Sequence, residues 1–188
     1  QASMIDDILI HVRSTFSKKP GTKIISENDI DYKKTVTGIA YSKNNAKISL
    51  VGVVDKPGVA ADVFEPIGSN NINIDMVIQN TSLDGKTANI TFTIKQEELK
   101  KTLNIIEKNK KKINYQKITH DGRLAKVSII GAGMITSPGV THMMFRSLAN
   151  EKINILAIST SEIKISVLIE ENLTQRAVKV LHEAFGLN

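Results

Sequence analysis

The chain states one pattern twice. Residues 47–74, KISLVGVVDKPGVAADVFEPIGSNNINI, and residues 126–155, KVSIIGAGMITSPGVTHMMFRSLANEKINI, run through strand, Pro-Gly-Val turn, helix and second strand in the same order. Lys47 and Gly52 match Lys126 and Gly131 at an offset of 79, whereas Pro57, Gly58, Val59, Phe64, Asn73 and Ile74 match Pro138, Gly139, Val140, Phe145, Asn154 and Ile155 at 81. The second loop is therefore two residues longer. Such duplication predicts two small modules rather than one large domain, each marginal alone because a short unit buries too little apolar surface.

In the first copy, 47–54 is rich in β-branched residues and reads as a strand. Pro57 is expected to open a helix, striped by Val59, Val63 and Ile67 and stopped at Gly68. Residues 72–79 and 88–94 read as strands around the turn Leu83-Asp84-Gly85, and Leu99, Leu103 and Ile106 stripe a second helix. Residues 115–119 complete a βαββαβ module, and Asp121-Gly122 is expected to break the chain before the next copy. The second copy reads as βαββα and lacks a sixth element, which leaves a sheet edge unpaired. One strand-like segment upstream, 36–41, has no assigned partner. We therefore expect it to pair into the second module, with the first module inserted in the second. Residues 1–35 form no module of their own; 8–13 reads as a strand and 17–22 as a loop, and a start at Gln1 is expected of a fragment of something longer.

Composition excludes several functions. The 188 residues contain no cysteine, which rules out disulfides, thiolate metal sites and a cysteine nucleophile. No apolar run nears the roughly 20 residues that span a bilayer, and two aspartates sit where a signal peptide carries positive charge; neither a membrane nor a secretory route is expected, and the cytoplasm is. A net charge of +6 raises nucleic acid as a partner, but the cluster at 108–112 ends an amphipathic helix, where cations oppose the helix dipole. Aromatic residues are only 4% of the chain, few for stacking bases. No nucleic-acid partner is expected.

No catalytic constellation is evident. His11, His120, His142 and His182 lack metal-ligand spacing, and Gly131-Ala132-Gly133 lacks the third glycine of a dinucleotide fingerprint. No catalytic residue and no metal site are assigned. What remains suits a small zwitterion. The turn Asp55-Lys56-Pro57-Gly58-Val59-Ala60 leads into a helix N-terminus, where free N–H groups favour a carboxylate. Asn73, Asp75, Val77 and Gln79 share one strand face, offering an anion for an ammonium group and an amide for a hydroxyl. The alternative is that Asp55 and Asn73 merely satisfy turn and edge backbone groups.

The tandem plan also resembles a known family. DKPGVAADVF, NIDMVIQN, DGKTANITFT and the ending NINILAISTSEIKISVLI to AVKVLHEAFGLN are similar to the paired ACT domains of aspartate kinase regulatory regions. VRSTFSKKPGT resembles the segment that leaves the kinase domain. The resemblance implies an α+β fold of two ferredoxin-like βαββαβ ACT modules, with antiparallel sheets and helices on one face. It implies a kinase-exit segment at 1–35, a first ACT domain at 44–122, and a second made of 36–43 plus 123–188.

By the same resemblance, two chains pair their modules and bind an effector amino acid, threonine or lysine, between them. The first module supplies Asp55, Lys56, Pro57, Gly58, Val59, Ala60, Asn73, Asp75 and Gln79. The second, from the partner chain, supplies Val140, Thr141, Asn154, Ile155 and Ser161. Asp75 or Asp55 is assigned to the ammonium group, amides around Val59 and Ala60 to the carboxylate, and Gln79 to the threonine hydroxyl. The expected partners are an effector, a second copy and a kinase domain or alpha subunit. ATP and magnesium belong to that missing domain, and no cofactor is expected here. A stand-alone tandem sensor is the alternative. Pro66 falls mid-helix and predicts a kink that shifts Val63 and Ile67 at a dimer face, and Asn89 replaces the usual aspartate of its strand.

Overall fold

The computed structural model describes residues 10–17, 20–24, 35–83 and 85–187. Strands β1 (Ile10–Val12) and β2 (Thr22–Ile24) pair antiparallel as a small two-stranded sheet. The main body follows as β3 (Gly38–Val54), α1 (Val59–Gly68), β4 (Val77–Thr81), β5 (Thr87–Lys95), α2 (Leu99–Lys108) and α3 (Lys110–Ile113). It continues as β6 (Lys117–Ile130), α4 (Val140–Asn150), β7 (Ala157–Ser161), β8 (Lys164–Glu170) and α5 (Thr174–Ala184). Six strands form one antiparallel sheet in the order β4-β5-β3-β6-β8-β7.

Two long strands hold this sheet together. Residues 38–42 of β3 pair with 126–130 of β6, from Gly38↔Ile130 to Ser42↔Lys126, while 47–51 pair with 117–121. The chain therefore does not break at Asp121-Gly122, and the two strand segments expected at 36–41 and 47–54 form one strand. Each long strand serves as the first strand of one module and the last strand of the other.

A regular strand would place Ile39 and Ile48, nine positions apart, on opposite faces. Both nevertheless face a hydrophobic core, because the register moves from Ser42↔Lys126 to Asn45↔Leu124 and then to Lys47↔Asp121. One extra residue on β3 and one on β6 cancel each other. Asn44 (φ 57°) and Arg123 (φ 54°), equivalent residues of the two copies, take up these insertions in the left-handed region. Their backbone N–H groups donate to Glu171 Oε2 (2.7 Å) and Gln96 Oε1 (2.8 Å), again equivalent positions.

Both cores consequently lie on the helix-covered face of the sheet. In the first, α1 and α2 cover Ile48, Leu50, Ile90 and Phe92, with Phe64 edge-on to Phe92 at 5.3 Å between ring centres. In the second, Val127, Ile129, Val167 and Ile169 pack with Met144, Leu148, Ala177 and Leu181 of α4 and α5. Each fully buried Val, Leu, Ile, Met or Phe side chain among them contributes about 1.5–3 kcal/mol.

Several local expectations change. Pro57 does not open α1, because the helix starts at Val59 behind Gly58, and Gly139 stands likewise before α4. Residues 72–76 and 153–156 lie outside the regular strands, which begin at Val77 and Ala157. Helix α1 runs through Pro66 to Gly68, and Asn70 Nδ2 donates to the Pro66 carbonyl at 2.9 Å. Val63 and Ile67 are fully buried in the first core rather than placed at a surface.

Candidate functional site

The first-copy turn is built at one end of β3. Between Leu50 and Val53 the β3–β5 register slips, and Gly52 takes φ 68°. The backbone angle there favours glycine, and a Cβ at Gly52 would also displace the exposed Gln116 side chain, whose Cδ it would approach to 2.5 Å. The Gly52 N–H donates to Asn89 Oδ1 at 3.1 Å. An orphaned buried donor here would cost about 1–3 kcal/mol.

Beyond the slip, the Asp55 N–H donates to the Lys86 carbonyl at 3.0 Å, tying the turn to the β4–β5 hairpin. Asp55 Oδ2 accepts a long bond from Thr81 Oγ1 at 3.4 Å. Gly58 adopts φ 91° with open space around its α-carbon, so its conformation alone demands glycine. Val59 is buried, and its N–H donates to the Lys56 carbonyl at 3.1 Å; Asp62 N–H donates to the Gly58 carbonyl. The open first-turn donors of α1 are therefore Ala60 and Ala61 rather than Val59. Pro57 is exposed, and the Lys56 ammonium lies 3.9 Å from Asp62.

Gln79 sits on β4, an exposed edge strand, two residues from Thr81 on the same face. That separation is about 7 Å along the strand. Asp55, Thr81, Gln79 and the α1 N-terminus thus share one corner of the molecule. Thr81 was not legible as a member, because only the hairpin register brings it to Asp55.

Asp75 and Asn73 do not join that corner. Asp75 N–H donates to the Thr93 carbonyl, seven residues along β5 from Lys86, which puts it about 23 Å from the Asp55 turn. Its carboxylate pairs with Lys126 of the second module. A cavity of about 420 Å³ lies there, lined by Asn73, Asp75, Lys95, Glu98 and Lys126 among others. A shared strand face carries no information about distance along the strand, and Asn73 and Asp75 precede the start of β4 at Val77.

The second-copy residues also divide. Val140 is buried and Thr141 exposed at the start of α4, beside a cavity of about 720 Å³ lined by Val36, Ser137, Val140, Met143 and Phe185 among others. Asn154 and Ile155 precede β7, whereas Ser161 ends it, its hydroxyl donating to the Lys164 carbonyl at 3.4 Å. The turn before α4 differs from its counterpart: residues 132–136 form a 3₁₀ turn, and no aspartate stands where the first copy has Asp55.

The lysine cluster is partly neutralised. Lys112 pairs with Glu65 at 2.8 Å and Asp62 at 3.3 Å, so it joins α3 to α1, and the hydrogen bonds it donates to those carboxylates raise its pKa. Lys110 lies 3.7 Å from Glu107 and over the Tyr115 ring. Tyr115 donates to Glu107 Oε2 at 2.7 Å, and burial first, then that carboxylate, pushes its phenol up to about 12. Among the described residues no group of three His, Asp or Glu side chains stands together as a metal site, and no helix is long and apolar enough to cross a membrane.

Two βαββαβ modules built around shared strands, each with a glycine-capped helix, define a tandem ferredoxin-like architecture. A family model described as an ACT domain matches residues 48–109 and 127–185, one stretch in each module. The chain belongs to the ACT-domain family, in the tandem form of aspartokinase regulatory regions. The aspartokinase of Mycolicibacterium smegmatis is 45% identical over 185 residues, covering 96% of this chain and 44% of the relative. A solved structure of aspartokinase alpha and beta subunits aligns with TM-score 0.74 and 45% identity, covering 80% of this chain and 99% of that one. The ligand-free regulatory subunit of aspartate kinase from Thermus thermophilus aligns with TM-score 0.73 and 35% identity, covering 81% and 99% respectively. The chain spans 44% of the length of the curated relatives it matches.

Proposed function

We propose that this region binds an end-product amino acid, threonine or lysine, where the corner of the first module meets the second module of another copy. Binding there inhibits an attached kinase domain or alpha subunit that uses ATP and magnesium to convert L-aspartate to 4-phospho-L-aspartate, the first step of lysine, threonine and methionine synthesis, in the cytoplasm. The carrying observation is the convergence of Asp55, Gln79 and the open first-turn amides of α1 beside an exposed sheet edge.

The chemistry is complementary to an α-amino acid. The amides of Ala60 and Ala61, with the helix dipole behind them, attract the carboxylate. The Asp55 carboxylate, oriented by Thr81, holds the ammonium group, and the Gln79 amide reads a side-chain hydroxyl. Asp75, committed to Lys126, is the poorer choice for the ammonium. Lys56, Pro57, Gly58 and Val59 shape or flank the first-module side, whereas Asn73 stands with Asp75 away from the corner. Val140, Thr141, Asn154, Ile155 and Ser161 of the second module close it from the other copy. An effector that binds one arrangement of the pair better biases the kinase by about 1–3 kcal/mol.

Calorimetric titration with threonine and with lysine tests this reading. Gln79→Ala is expected to weaken threonine about tenfold and lysine much less, the cost of one lost hydrogen bond. Equal losses for both ligands refute the hydroxyl-reading role, and no binding of either by the unaltered chain refutes the site.

A further inference from the structure

We propose that Asn89 is a positioning residue for the effector turn, acting through the backbone of Gly52; this rests on the amino-acid-binding reading of the Asp55 corner. Asn89 lies on β5, opposite Asn80 of β4, and is not among the residues assigned to the ligand. Its carbonyl oxygen instead accepts the Gly52 N–H, at the place where β3 slips register against β5. A slip of this kind leaves one N–H without a ladder partner. Gly52 is buried, which limits the access of water to that N–H.

The slip is held from both sides. Asn89 grips it from β5, and on the other flank Gln116 N–H donates to the Val51 carbonyl at 3.0 Å while its side chain closes over Gly52. Three residues later comes Asp55, whose N–H is fixed to the carbonyl of Lys86, which immediately precedes β5 and lies three residues from Asn89. The direction in which the chain leaves β3, and hence the aim of Asp55 and α1, is set by these two anchors, Asn89 on β5 and Lys86 just before it.

The second copy supplies an internal control. Lys164 stands in place of Asn89, and Gly131 in place of Gly52. There the glycine is extended, with φ 174°, and its N–H donates to the backbone carbonyl of Ile163 at 2.9 Å. No side-chain anchor is used, the following turn is 3₁₀, and no aspartate follows. The side-chain anchor and the ligand aspartate occur together, in the first copy alone.

The test uses the 188-residue chain with threonine and lysine as probes, together with hydrogen exchange. Asn89→Ala removes the acceptor; Asn89→Asp keeps one at the same place. Asn89→Ala is expected to weaken both amino acids about tenfold and to speed exchange of the Gly52 amide, with both properties returning in Asn89→Asp. Thr102→Ala, which loses the Thr102 hydroxyl bond to the Glu98 carbonyl elsewhere in the first module, should lower the melting temperature without altering affinity. Unchanged affinity and Gly52 exchange in Asn89→Ala, or a matching loss of affinity in Thr102→Ala, overturns the proposal. If the unaltered chain binds neither amino acid, the effector reading fails; the Gly52 exchange comparison then decides by itself whether Asn89 holds the turn.

Discussion

Tyr115 shows how one residue can give a pH-dependent handle on stability. Its ring is only 6% exposed and its hydroxyl donates to Glu107, so the neutral phenol is favoured in the fold and its pKa rises from 10 to about 12. The folded state therefore holds this proton more tightly than the unfolded chain does. Its contribution is complete below pH 10 and is lost as pH climbs through 12. Ultraviolet titration should show a phenolate step near 12 that vanishes in Tyr115→Phe, and the variant should lose less stability across that interval. If the step persists in the variant, the assignment is wrong.

At the scale of the element, α1 carries most of the tension between sequence and fold. Pro66 lies inside a ten-residue helix, where it offers no N–H to the carbonyl of Asp62. The helix persists because Val59, Val63 and Ile67 are all buried against the sheet and because Lys112 holds Asp62 and Glu65 from outside. Burial of three apolar side chains outweighs one missing bond. Pro66→Ala is expected to stabilise the chain by about 1–3 kcal/mol in urea unfolding. A loss of stability would mean that the partly buried ring packs better than the restored hydrogen bond.

At the scale of the whole molecule, the shared strands settle which edges stay open. Because β3 and β6 occupy the centre, the sheet ends at β4 and β7, where the equivalent residues Val77 and Ile158 are 50% and 41% exposed. Exposed apolar edge strands are templates for pairing with another chain. On the proposed two-copy arrangement, Val77→Lys should shift the chain toward monomer in sedimentation and weaken amino-acid binding, with its circular dichroism unchanged. A dimer that survives the charge places the contact elsewhere.

Much of this was legible beforehand, for physical reasons that can be named. The repeat exposed the two modules, and apolar periodicity exposed α1, α2, α4 and α5, because helix faces and strand faces leave regular marks in sequence. The unpaired edge of the second copy pointed to a partner upstream, and residues 38–42 do run beside 126–130. The corner around Asp55 and Gln79 was half legible: the residue types were visible, but Asp75 was drawn into it, since alternation reports a face and not a position along it. Thr81 and Asn89 enter only through the β4–β5 register. Tertiary structure alone decided that four expected strands become two. No local signal encodes the paired insertions at Asn44 and Arg123, because each works only when the other strand carries its own. The sequence by itself determined two copies of one module; packing them on one face of one sheet was decided by compensation between strands some 79 residues apart in the chain.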